Sequence, residues 1–155
     1  MMQDKLDHTY RTNKIISLAL AASLLLYAII VEIIKFQQLN LNLVAAPIVD
    51  KLRFVFVFFS FAAYFIINFV RQRVLVKRDD DTQERLLGKL SLANIVSMAL
   101  AELPAFFGLL LFLGSGNSRD FYPLAIISLV LFYMFFPSHR AWAAWSGVTD
   151  QETSG

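Results

Sequence analysis

Between Leu92 and Leu113 the chain runs for 22 residues with a single charged side chain, Glu102, close to the midpoint. A helix needs about 20 apolar residues to cross the hydrocarbon core of a bilayer. In lipid every backbone N–H and C=O must be satisfied within the segment, so an isolated run of this kind is a helix. Three more runs lack charge over most of their length: Ile15–Ile34, Phe54–Val70 and Phe121–Phe136. The first is long enough outright, the second is at the short limit, and the fourth must borrow flanking positions. The expected fold is all-α, a four-helix transmembrane bundle forming one integral membrane domain. Its spans are expected at about 15–34, 54–70, 92–113 and 121–136, with a polar loop over 71–91.

Composition agrees. Charged residues make up 17% of the chain, against about 25% in soluble domains. Fifteen phenylalanines exceed what a small water-exposed fold needs for its core. The first run could be a secretory signal, but its apolar stretch outruns the roughly 7–15 residues of such a segment, which favours an uncleaved anchor helix. The absence of cysteine excludes disulfides, iron–sulfur clusters and thiolate metal sites. Both histidines, His8 and His139, lie outside the spans, where they cannot ligate a haem inside the bundle. No metal or cofactor is expected, and a net charge of +2 gives no reason to expect nucleic acid.

The charges speak by position. With four spans, the N-terminal arm, the 71–91 loop and the tail share one side and hold ten of the 14 Lys and Arg residues. Positive segments stay on the cytoplasmic side. Both termini are therefore expected there, in a membrane of the bacterial inner (plasma) type. In the 71–91 loop the acidic triplet Asp79–Asp81 could suggest a divalent metal. Asp81 followed three residues later by Glu84 is better read as a helix N-cap leading into the third span. The first loop, residues 36–51, is expected to lie along the outer interface. After Pro137, which cannot continue a helix undisturbed, Trp142 and Trp145 are expected in a short interfacial helix.

Ile15–Ala22 and Ile95–Glu102 echo one another at an offset of 80, with five of eight positions identical. Two hairpins repeated in the same orientation would produce this echo. So would chance within a small apolar alphabet.

A carboxyl at bilayer depth is costly, on the order of 2.5–3.5 kcal/mol for a centred Asp. Glu102 is therefore the candidate ion-binding residue. Beside it Ser97, Ala101, Ala105 and Gly108 form a stripe of small residues that lets a neighbouring helix approach closely. Pro104 removes its own amide proton and frees the Leu100 carbonyl as an acceptor. A protonated Glu102 could donate to that carbonyl, to Ser97 or to a neighbouring helix. No Lys or Arg sits mid-span to pair with it, so the neutral form is expected. Glu32 and Asn68 are lesser candidates, Glu32 being read as an interfacial residue beside Lys35.

Gly88-Lys89-Leu90, followed by Met98-Ala-Leu-Ala-Glu-Leu-Pro-Ala-Phe-Phe-Gly-Leu-Leu, resembles the carboxylate helix of the rotary ATPase proteolipids, the c-ring subunits. The resemblance covers about 25 residues and implies an ion-carrying role for Glu102. The chain departs from that family elsewhere: no span has the glycine-rich packing repeat, and the second is crowded with phenylalanine. The residues point to a structural or accessory subunit of a membrane complex, with Glu102 as a buried interhelical contact. The alternative is a proton- or ion-handling protein. Enzyme activity is not expected, since no nucleophile–base pair, metal-ligand set or phosphate loop is visible. The expected partners are the bilayer and either another membrane protein or further copies of the chain.

Overall fold

Four helices account for the architecture, and all four are long and apolar enough to cross a membrane. The computed structural model describes residues 2–37, 43–76, 81–138, 142 and 144. Helix α1 is Met2–Phe36, α2 Ala46–Val74, α3 Gln83–Ser115 and α4 Phe121–Phe135. A 3-10 turn, Ser118–Asp120, joins the last two.

α1 extends well beyond its apolar run. Its 35 residues span about 52 Å at 1.5 Å per residue. The segment before Ile15 continues the helix instead of forming a separate arm. Leu6 is buried on this extension in a cluster with Leu87, Leu90 and Trp142. Tyr10 packs edge-on to Trp142, with ring centroids 5.8 Å apart. Trp142 is thus enclosed by protein and does not stand free at the headgroup level; Trp145 and the last residues lie outside the described segments.

α2 begins at Ala46, with Pro47 in the first turn, where its missing N–H costs no helical bond. The first loop is accordingly shorter than the polar residues of 36–51 indicate. Helix α3 starts one residue later than expected. Its N-cap is Thr82, whose hydroxyl accepts from the Arg85 N–H. Asp81 is instead bound by Lys89, at 2.5 Å. The cap therefore falls to the next hydroxyl in the chain. Asp79 and Asp80 lie outside the described residues.

α3 is the hub. It packs against each of α1, α2 and α4, whereas α1 and α2 barely touch each other. Contacts along the α1–α3 seam advance together, from Asn13 with Ser91 to Tyr27 with Glu102, so these two helices run parallel. The two echoing segments therefore lie side by side. Ser17 and Ser97, equivalent in the echo, are both fully buried and each donates to the carbonyl four residues earlier. The two halves nevertheless pack differently, since α3 and α4 form an intimate pair and α1 and α2 do not.

The α3–α4 pairing rests on the small stripe. Ala101 and Ala105 are fully buried. A Cβ placed on Gly108 would lie 2.9 Å from the Phe121 carbonyl oxygen and 3.1 Å from the Leu124 Cβ. Ser128 of α4 donates to the Ala101 carbonyl. α3 ends at Gly116, whose φ of 69° is the left-handed cap that glycine adopts without strain.

At the opposite end from Trp142, Arg53 of α2 grips Asp120 through Nε at 2.8 Å and a terminal nitrogen at 3.1 Å. Ser115 donates to the same carboxylate at 2.9 Å. This fork ties α2 to the α3–α4 turn. The outward faces carry Phe54, Phe58, Phe61, Phe65 and Phe69 on α2, Ile15, Leu25 and Ile29 on α1, and Ile126, Leu129 and Tyr133 on α4. Such a continuous apolar surface is stable against lipid and not against water. The chain is a membrane-embedded helical bundle.

Candidate functional site

Glu102 sits on α3 where it meets α1, half-buried and not sealed in the core. Two hydroxyls of α1, one helical turn apart, converge on its Oε1: Ser23 Oγ at 2.5 Å and Tyr27 OH at 2.6 Å. Residues four apart share a helix face, so Ser23 and Tyr27 grip the carboxyl from one side; Ser23 Oγ also lies 2.6 Å from the Leu20 carbonyl, which competes for its single proton. The ring of Tyr27 also lies against Phe106, with centroids 6.5 Å apart. No described Lys or Arg forms an ion pair with Glu102.

The partners anticipated on α3 itself are engaged elsewhere. Ser97 donates to the Ala93 carbonyl at 2.6 Å. Leu100 is half-buried against the core cluster, and its carbonyl makes no side-chain hydrogen bond among the described residues. Pro104 is fully buried. Gly108 and the Ala101 carbonyl meet α4, and both positions lie about a third of a turn from the carboxyl; Ala105, about a sixth of a turn from it, is fully buried. The small stripe and Glu102 thus serve two different neighbours. Glu32 binds Lys35 at 2.9 Å and accepts from Tyr122, and Asn68 donates to the Tyr64 carbonyl at 3.0 Å.

Towards the N-terminal end of the same seam lies a buried polar network. Asn13 is 2% exposed and Asn94 4%. Asn13 donates to Ser91 at 2.9 Å, and Asn94 donates to Ser17 at 3.1 Å. Amides and hydroxyls at an intramembrane interface hydrogen-bond across helices, because lipid offers no alternative. Asn94 was visible in the sequence as the one amide inside the third run, and Ser23 and Tyr27 as an i, i+4 pair inside the first. Neither signal names its partner.

Chemically, the arrangement is a carboxyl held by two hydroxyl donors in an apolar setting. It can lock α1 to α3. Its Oε2 has no hydrogen-bond partner among the described residues. No group of three or more His, Asp or Glu able to hold a metal ion occurs among the described residues. Comparison with known proteins returns no match to a family model, to a curated protein or to a solved structure.

Proposed function

We propose that the chain is a small structural or accessory subunit of a membrane complex, without enzymatic activity, in which neutral Glu102 fastens α1 to the rest of the bundle. The observation that carries this reading is the convergence of Ser23 and Tyr27 on one oxygen of Glu102. A carboxyl gripped by two hydroxyls, with no ion pair among the described residues, is arranged for cohesion. Room for a partner is also present. Leu92, Leu103, Phe106 and Leu110 form an exposed face of α3 left open between α1 and α2. The basic side of the bundle is cytoplasmic in this reading, which puts both termini there.

The half-exposed position of Glu102 favours a second reading, in which it exchanges protons or ions with the open face of α3. Glu102→Gln separates the two. Gln keeps an oxygen for Ser23 and Tyr27 but cannot ionise. In the cohesive reading the variant melts in detergent close to wild type, and Glu102→Leu melts earlier. Ion handling requires that wild-type protein in liposomes dissipates an imposed proton gradient and that Glu102→Gln does not. A gradient equally stable with either protein eliminates the second reading. Equal melting of wild type and Glu102→Leu eliminates the first.

A further inference from the structure

A cavity of about 380 Å³ opens where α2, α3 and the end of α4 meet, on the side that carries the 71–91 loop. Its charged wall is Arg71. Two lysines at this end have counter-charges among the described residues: Lys5 with Glu84, and Lys89 with Asp81. Among the described residues Arg71 makes no ion pair and no side-chain hydrogen bond; its contact there is with the Phe135 ring, 5.6 Å from the guanidinium carbon. Its five N–H donors meet no acceptor side chain among the described residues.

The rest of the wall is suited to a ligand and not to a counter-ion from the chain. Ser138 contributes a hydroxyl just past the α4 terminus, and Trp142, 4% exposed, closes one side. Asn94 forms part of the lining with its amide protons already given to Asn13 and Ser17, so it does not compete for an anion. A guanidinium at the edge of a bilayer, with an adjacent hydroxyl and aromatic walls, matches a phosphate group. The planar fork binds two phosphate oxygens at once, and the apolar walls accept the glycerol and acyl portion of a lipid. Arg73, over the Phe69 ring at 5.1 Å, adds positive potential at the rim without lining the cavity.

We propose that the Arg71 cavity is a binding site for a phosphate group, carried by an anionic lipid headgroup or by a soluble phosphate ester. The proposal rests on membrane embedding and is independent of any role for Glu102. Native mass spectrometry of the detergent-solubilised protein, with added phosphatidylglycerol or phosphatidylcholine, tests it. Wild type retains phosphatidylglycerol in preference to phosphatidylcholine. Arg71→Gln reduces that retention about ten-fold, the effect of losing a charge-assisted bidentate contact. Arg73→Gln, on the rim, leaves it within a small factor. Melting of Arg71→Gln close to wild type shows that the loss is not unfolding. Equal retention by Arg71→Gln and wild type overturns the site, and so does an equal loss in Arg73→Gln, which reduces the effect to diffuse basic charge. Displacement of the lipid by millimolar inorganic phosphate keeps the phosphate site and overturns the lipid as its source.

Discussion

Ser23 and Tyr27 each present one hydroxyl to the same carboxyl oxygen, so their effects are coupled. Interhelical hydrogen bonds in membranes average about 0.6 kcal/mol and reach about 1.7 kcal/mol. Ser23→Ala and Tyr27→Phe are each expected to destabilise the bundle within that range, measured by thermal or denaturant unfolding in detergent. The double variant should cost more than the sum, because either hydroxyl alone still satisfies Oε1 and only the double loss leaves it without a donor; strict additivity would show that the two bonds act independently. Asn94→Leu removes a partner of both Asn13 and Ser17, which are almost fully buried. Leaving those groups short of a partner costs about 1–3 kcal/mol. At this scale the sequence was informative about which residues are unusual and silent about whom they meet. Glu102 stood out because charge at mid-span is expensive. Ser23 and Tyr27 did not, since a hydroxyl inside an apolar run can turn back onto its own helix, as Ser17 and Ser97 do.

Helices rather than residues decide how closely the chain packs. Gly108 touches α4 with no room for a side chain. Gly108→Ala must separate α3 from α4 by several tenths of an ångström, and overpacking of this kind costs about 1–3 kcal/mol. Gly108→Leu and Ala101→Leu should be worse, while Leu110→Ala on the open face should change little. Equal melting of all three would place the stripe against lipid. The Arg53–Asp120 fork fastens α2 at the far end. Arg53→Gln should cost about 1.5–3 kcal/mol by the scale for hydrogen bonds to charged groups. The lower end is expected because the Arg53 side chain is 45% exposed, against 6% for Asp120, and water screens it. Helix existence was legible in the apolar runs. Helix ends were not: charges at Asp4, Lys5 and Asp7 disguised an extension of α1 that is helical because Leu6 and Tyr10 find Leu87 and Trp142. Likewise, Asp81 and Thr82 are both good caps, and only the position of Lys89 tells them apart.

For the whole molecule, the parallel course of α1 and α3 puts the N-terminus, the start of α3 and the end of α4 at one end. Tyr10 reaches the Pro137 carbonyl there, at 3.4 Å. The absence of native cysteine makes single-cysteine labelling clean. Cysteines at Thr82 and Thr149 should be shielded from an impermeant reagent in intact cells, and one at Asn117 should label. Labelling at 149 with protection at 117 overturns the cytoplasmic placement of the termini, and labelling or protection of both positions is incompatible with four spans. The number of spans could be read from the runs alone. The central place of α3 could not, because its apolar residues surround the helix and mark no preferred face.

That central place has a consequence for how the chain is made. Along α1, Lys5, Asn13, Ser23 and Tyr27 find their acceptors at Glu84, Ser91 and Glu102, Ser17 receives its donor from Asn94, and Glu32 from Tyr122. All of these partners emerge from the ribosome after α2, which offers α1 almost nothing. The first two spans must therefore wait in the bilayer as separate helices, and assembly begins only when the third one arrives.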